Sequence, residues 1–179
     1  MRFGFGKYEG KTVTRVMVDD PLYIGWCLRK LRWPDVLDRI KSARRSFDAK
    51  PFVVNCRGHD KCGNKATRIT LYASTDGGVN LEPYYWCDEC DPCSLGASPH
   101  KLTVLRTYSE LVNWAHVHEV SRAGTRKLVR KVTRAKGAPK KLTQGALDEL
   151  FWGRGGREAY WYSLGRKAAA EIRAAEGLM

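Results

Sequence analysis

The chain has 179 residues and a formal charge of +13, with 32 Lys and Arg against 19 Asp and Glu. This excess of positive charge favours a polyanionic partner, and nucleic acid is the best candidate. No stretch approaches the roughly 20 apolar residues that a membrane helix needs. We therefore expect no membrane partner and, because no apolar leader opens the sequence, a cytoplasmic and reducing compartment. We predict an α+β protein of three modules, at 1–47, 51–106 and 107–179.

The first module is predicted to be small and rich in helix. Glycines between the aromatic positions of residues 3–11 indicate tight turns. Asp20 followed by Pro21 is typical of a helix start, with a capping acid and then proline at the first helical position. Pro34 predicts the start of a second helix. Cys27 stands alone in the first of these helices and is predicted to be a core thiol.

Two sequence segments of this module resemble a known family. They are Phe5-Gly6-Lys7-Tyr8-Glu9-Gly10-Lys11 and Asp20-Pro21-Leu22-Tyr23-Ile24-Gly25-Trp26, with Val16 between them. Together they are similar to the small C-terminal module of exodeoxyribonuclease X-like proteins. In that family the module accompanies DNA-processing enzymes, which implies an auxiliary binding or interaction role. No nuclease domain precedes it here, so we expect no nuclease activity. The alternative is that these glycines and aromatics only build a compact fold.

The second module is predicted to be a zinc ribbon. Cys56 and Cys62 form a C-x5-C pair, and Cys87 and Cys90 form a C-x2-C pair. The residues between the pairs alternate like a β-hairpin, with strands predicted at 66–73 and 79–86, a turn at 75–78 and a further strand at 102–105. Two thiolate pairs on opposed turns can converge on one tetrahedral Zn²⁺ ion. Four such ligands close the site, so the zinc would be structural.

Two other residues compete for a place in this ligand set. Cys93 continues the series of Cys87 and Cys90, and His59 lies midway between Cys56 and Cys62. Either could replace one of the four cysteines, and the sequence does not decide between them. Arg68, Tyr72, Tyr84, Tyr85 and Trp86 could stack on bases, but we expect them chiefly to cover a ribbon too thin to have a real core.

The third module carries concentrated positive charge. Residues 122–141 contain nine basic residues and no acidic one. Thr107 with Glu110 predicts a capping box, and a second helix is predicted from Thr125 with Leu128 on its buried stripe. Like charges along one helix repel unless an anion relieves them, which favours nucleic-acid contact. The predicted contacts are Arg126, Lys127, Arg130, Lys131, Arg134, Lys136, Lys140, Lys141, Arg154 and Arg157.

The end of this module resembles a winged helix-turn-helix. Thr143 is predicted to cap a helix, and Gly153-Arg154-Gly155-Gly156-Arg157 follows it as a glycine-rich hairpin with two arginines at the tip. A final helix is predicted from Arg166. In the winged version, 143–150 would face the DNA groove and the two arginines would reach phosphates or a minor groove. A helical tail with a glycine-rich loop is the competing interpretation.

No motif in the sequence demands catalysis. Carboxylates are scattered rather than clustered for divalent cations, and no phosphate-binding loop is present. We therefore predict a zinc-stabilised, non-enzymatic nucleic-acid-binding protein, with DNA favoured over RNA. The alternative is a small basic accessory or inhibitor, phage-encoded, that docks on a polymerase, nuclease or CRISPR complex. A nuclease accessory with hidden activity is a third hypothesis.

Overall fold

The architecture comes from a computed structural model that describes residues 2–58, 62–74, 78–92, 101–153 and Gly155. Within these ranges the chain forms six α-helices and one three-stranded antiparallel sheet, which confirms the α+β class. The helices are α1 (Val13–Asp19), α2 (Pro21–Lys30), α3 (Pro34–Ala49), α4 (Tyr108–Val117), α5 (Arg122–Ala135) and α6 (Gln144–Trp152). The strands are β1 (Arg68–Ala73), β2 (Val79–Trp86) and β3 (Leu102–Leu105).

Side-chain caps mark the starts of α1 and α2, and a proline marks the start of α3. The Thr12 side chain accepts a hydrogen bond from the backbone N–H of Arg15 at 3.2 Å and caps α1. Asp20 caps α2 in the same way, with Pro21 at the first helical position, and Pro34 opens α3. Such caps satisfy backbone donors that a helix start otherwise leaves open. Both predicted helix starts are therefore confirmed, and the predicted core thiol Cys27 is fully buried.

The sheet has the strand order β2-β1-β3, so β1 is covered on both edges. The bounds predicted for β2 and β3 are confirmed, but β1 begins at Arg68 rather than at the predicted residue 66, because Ala66 donates its N–H to the carbonyl of Val54 instead. Ile69 and Leu71 of β1 are buried as its alternation predicts, but Thr70 is buried as well. The reason is a partner across the sheet, because the indole Nε1 of Trp86 donates to Thr70 Oγ1 at 2.9 Å. A buried hydroxyl is tolerated when it is hydrogen-bonded.

The later helices match the sequence with one correction. The capping box of Thr107 and Glu110 is present at α4, and Thr143 caps α6. Helix α5, however, begins at Arg122, three residues before the predicted start, because Ser121 caps it by accepting from the N–H of Gly124 at 3.1 Å. The hydroxyl of Thr125 instead donates to the carbonyl of Ser121 at 3.0 Å, one turn inside the helix.

One continuous hydrophobic core contains residues from all three predicted modules, among them Ile24, Leu71 and Leu128. Helix α6 packs on α1 and α3 of the N-terminal part. The module boundaries and the winged-helix topology stay predictions. The wing at 153–157 and the helix from Arg166 lie outside the described residues, apart from Gly153 and Gly155.

Candidate functional site

The structure brings the four predicted cysteines together. The Sγ atoms of Cys56, Cys62, Cys87 and Cys90 all lie within 4.8 Å of one another. Cys62 Sγ lies 3.8 Å from Cys87 Sγ and 3.7 Å from Cys90 Sγ. A tetrahedron with metal–sulfur bonds of about 2.3 Å has edges of about 3.8 Å. The four sulfurs are therefore spaced to hold one metal ion.

Backbone amides of the two loops point at the sulfur of Cys56. Both Gly58 and Cys87 donate their N–H to Cys56 Sγ at 3.2 Å. Gly58 also lets the loops approach, since a Cβ at this position would overlap the Sγ of Cys90. Sequence reasoning missed Gly58, although a glycine two residues after a candidate ligand is a usable signal. N–H···S bonds of this kind orient ligands and stabilise thiolates.

The chemistry of Cys87 suits a metal ligand. Burial raises the pKa of its thiol, but hydrogen bonds from the Cys90 thiol and from the backbone N–H of Glu89 outweigh burial and lower the pKa to about 6. The thiolate is the form of cysteine that binds metals. The hydrogen bond with Cys87 raises the pKa of Cys90, so Cys87 is the sulfur of this pair that loses its proton more readily.

Side chains around the cysteines tie the second loop to the rest of the ribbon. Asn64 Nδ2 donates to Glu89 Oε2 at 2.9 Å, and Arg68 Nη2 donates to the carbonyl of Cys90 at 2.8 Å. Arg106, just after β3, pairs with Asp88 at 3.1 Å. These contacts fix the loop without involving the sulfur atoms, and outer contacts of this kind orient the ligands of a metal site.

The structure describes the predicted stacking residues but neither of the two competing ligands. Cys93 and His59 lie outside the described residues, so their part in the site stays open. Trp86 is buried and packs with Cys56 and Cys87 in a small cluster of its own. The sheet residues Tyr72, Tyr84 and Tyr85 are half-buried, and Arg57 lies 4.7 Å from the ring centroid of Tyr84.

Five of the predicted nucleic-acid contacts lie exposed on α5 and on the loop after it. We call this set the basic surface: Arg126, Lys127, Arg134, Lys140 and Lys141. Helix α5, which carries three of these five residues, packs against α1. Arg154 and Arg157 lie outside the described residues.

The other three predicted contacts already have partners within the protein. Arg130 Nη2 donates to Asp19 Oδ1 at 2.6 Å, and Lys131 pairs with Glu82 of β2. Lys136 is only 6% exposed, and its Nζ donates to the carbonyl of Lys50 at 2.5 Å. Part of the charge repulsion along α5 is thus relieved by carboxylates that are distant in sequence.

A buried carboxylate joins the two N-terminal motif segments. The side chain of Asp20 is 1% exposed and accepts from Lys7 Nζ at 2.8 Å and from the Tyr8 hydroxyl at 2.7 Å. Arg122 Nε, at the start of α5, lies 3.3 Å from the same carboxylate. The lysine and tyrosine of the first segment and the aspartate of the second are therefore one structural unit. Gly6 belongs to it too, since it has φ +65° and a Cβ there would lie 2.9 Å from the hydroxyl of Tyr23.

Lys7, Tyr8 and Asp20 lie within a segment that matches a known family. Residues 3–32 match the exodeoxyribonuclease X-like C-terminal family. The match confirms the similarity predicted for the N-terminal residues, and we call 3–32 the exodeoxyribonuclease X-like segment. Comparisons of the whole chain with curated proteins and with solved structures found no match. Among the helices that the structure describes, none is long and apolar enough to cross a membrane.

Proposed function

We propose that this protein is a zinc-stabilised, non-enzymatic nucleic-acid-binding protein, with DNA favoured over RNA. The observation that carries the proposal is the basic surface. Its five cations are exposed on one helix and the loop that follows it, within a stretch of sequence that has no acidic residue. Clustered, solvent-facing Lys and Arg of this kind are the usual electrostatic footprint of phosphate binding.

The four cysteines support zinc as the metal. An all-sulfur tetrahedral set suits zinc or iron among common biological metals. Four protein ligands would leave no open position for water or substrate, so the ion would act as a structural staple. It would hold the two loops of the ribbon, where Cys56, Trp86 and Cys87 form only a small apolar cluster.

Two further observations support a binding role rather than catalysis. The exodeoxyribonuclease X-like segment supports a link to nucleic acid, because the family that it matches is named for the C-terminal region of exodeoxyribonuclease X-like proteins. Asp19 and Asp20 are adjacent carboxylates, but both are engaged by cationic side chains, Asp19 by Arg15 and Arg130, and Asp20 by Lys7 and Arg122. Carboxylates that hold catalytic divalent cations must be open to the ion.

The salt dependence of binding tests this proposal. If five cations contact phosphates, the logarithm of the association constant should fall with the logarithm of the salt concentration. The slope should be roughly −4 to −5 on duplex DNA and roughly −3 to −4 on a single strand. The measurement is a fluorescence anisotropy titration of the full chain with labelled oligonucleotides over several salt concentrations. A slope near zero, or no binding at low salt, would contradict the proposal.

A further inference from the structure

Two tryptophans lie exposed on the exodeoxyribonuclease X-like segment and the turn that follows it. Trp26 is 44% exposed and Trp33 is 52% exposed. The other tryptophans in the described ranges, Trp86, Trp114 and Trp152, are buried. Large apolar side chains placed together in solvent usually mark a binding surface.

These indoles belong to one connected row of rings. Trp26 stacks on Tyr23 with ring centroids 5.6 Å apart, and Trp33 meets the ring of Phe5 edge-on at 4.4 Å. The buried ring of Phe3 touches both Phe5 and Tyr23, at 5.6 and 5.9 Å, and so joins the two pairs. We call Phe5, Tyr23, Trp26 and Trp33 the aromatic ridge. Ring-on-ring packing holds the exposed indoles in place before any ligand arrives.

Positive charge is interleaved with the ridge. Residues 21–34 contain three basic residues, Arg29, Lys30 and Arg32, and no acidic one, and all three are exposed. Tyr23, Trp26 and Lys30 stand at spacings of three and four in α2 and therefore share one helical face. On the other side, Lys7 Nζ lies 5.2 Å from the ring centroid of Tyr23. The charge of Lys7 is paired with Asp20, so Lys30 and its neighbours Arg29 and Arg32 are the cations available beside the exposed rings.

From this arrangement we infer that the aromatic ridge binds single-stranded nucleic acid, with bases stacked on Trp26 and Trp33 and phosphates beside Lys30 and its basic neighbours. Stacking on aromatic side chains combined with a positively charged track is how single strands are bound without sequence preference. A duplex offers no free base faces along its length, so the ridge selects the single strand. The inference rests on the proposed function and adds the class of nucleic acid to it.

The test compares strand forms and variants in the full chain. A labelled oligothymidine of about 15 nucleotides and a duplex of similar length are titrated with wild type, Trp26→Ala and Trp33→Ala. Each substitution is expected to weaken single-strand binding by about 5- to 150-fold, with duplex binding and the salt slope nearly unchanged. Val117→Ala is the matched control, because Val117 is 64% exposed but lies at the end of α4.

Trp26→Phe and Trp33→Phe keep an aromatic face, so they test the ridge without the gap that replacement by alanine leaves. In wild type, oligothymidine should quench tryptophan fluorescence, and the double Phe variant should bind with most of that quenching lost. Single-strand affinity within twofold of wild type in both alanine variants would overturn the inference, even with the salt slope intact. Absence of all nucleic-acid binding would overturn the proposed function as well, and would leave the ridge as a protein-docking surface.

Discussion

The ribbon loops and the exodeoxyribonuclease X-like segment, which contains α1 and α2, are held by different forces. Around the cysteines, the buried apolar residues are Cys56, Trp86 and Cys87, in a cluster separate from the main core. The N-terminal segment instead contributes Phe3, Met17 and other apolar residues to that core. Its buried Asp20 also forms an ion pair with Lys7. We therefore expect the stability of the ribbon loops to depend on a bound metal ion, and that of the N-terminal segment to depend on the charge network around Asp20.

Removal of the metal should have the largest effect, and only in the ribbon. Structural zinc contributes apparent free energies of about 10–16 kcal/mol in zinc-finger peptides. Treatment with a strong chelator should therefore abolish hydrogen-exchange protection at Arg57 and Thr67, whose amides donate to the carbonyls of Tyr85 and Trp86 at 2.8 Å. Protection within α2 should persist. Loss of protection in both regions together, or in neither, would contradict the claim that the metal stabilises only the ribbon loops.

Neutralising Asp20 should destabilise the exodeoxyribonuclease X-like segment and leave the ribbon loops unchanged. Asp20→Asn keeps a helix-capping side chain but removes the negative charge that Lys7, Tyr8 and Arg122 share. Because breaking a buried pair costs about 3–5 kcal/mol and Lys7 is partly exposed, we expect a loss of about 2–4 kcal/mol in the free energy of unfolding. Urea denaturation measures it. Asp38→Asn, with a side chain that is 76% exposed, is the control and should change stability by less than about 0.5 kcal/mol.

The pH dependence of that loss has a definite sign. Burial raises the pKa of Asp20, but hydrogen bonds from Lys7 and Tyr8 outweigh burial, so the folded-state pKa lies below its ordinary value of 3.8. A depressed carboxyl pKa stabilises the fold above the unfolded-state pKa, and this stabilisation is lost as pH falls through the folded-state value. The gap in stability between wild type and Asp20→Asn should be constant near neutrality and shrink below about pH 4. A gap that widens on acidification would exclude this role.

Lys136, at the C-terminal end of α5, belongs to neither region and provides a second test by pH. Burial lowers the pKa of Lys136 to about 8, although the charge of Asp48 opposes the shift. Between that value and 10.5 the unfolded chain binds more protons at this residue than the folded chain, so stability should rise with pH. Relative to Lys136→Met, wild type should gain about 3 kcal/mol over this range. Urea denaturation measures the free energy of unfolding of both proteins against pH. Parallel curves would contradict the lowered pKa of Lys136.

The smallest expected effects concern the basic surface. Replacing one phosphate-contacting cation should reduce the magnitude of the salt slope by about 1. We expect this for Arg126→Gln and for Lys127→Gln in anisotropy titrations. Lys41→Gln removes an exposed charge on α3 that pairs with Asp38 and should leave the slope unchanged. Equal effects of all three substitutions would mean that net charge, rather than the basic surface, drives binding.

The candidate ligand set could be predicted from sequence because its signals are local. Cysteine spacing and β-alternation fix two loops at one end of a hairpin, and capping residues fix most helix starts. The predicted start of α5 was wrong because serine and threonine can both cap a helix, and Ser121 rather than Thr125 does so here. The choice between them depends on tertiary packing, since Gly124 is buried and a Cβ there would meet Leu81 of β2 at 2.9 Å.

What the sequence could not reveal are contacts between distant elements. Arg130 and Lys131 look available on a basic helix, yet their partners Asp19 and Glu82 lie far away in the chain. The aromatic ridge likewise depends on a turn at Phe3 and Phe5 meeting α2 and Trp33. Charge and aromatic content predict a binding protein, but only packing decides which side chains remain exposed.

Metal stoichiometry by native mass spectrometry, with elemental analysis of the same samples, tests the central claim most directly. Wild type and Cys27→Ala, which alters a buried core thiol outside the site, should each carry one zinc ion per chain. Cys90→Ala should lose it, because three sulfurs no longer close the tetrahedron. A wild-type protein purified under reducing conditions that contains no metal, or a Cys90→Ala variant that retains its full complement, would contradict the account.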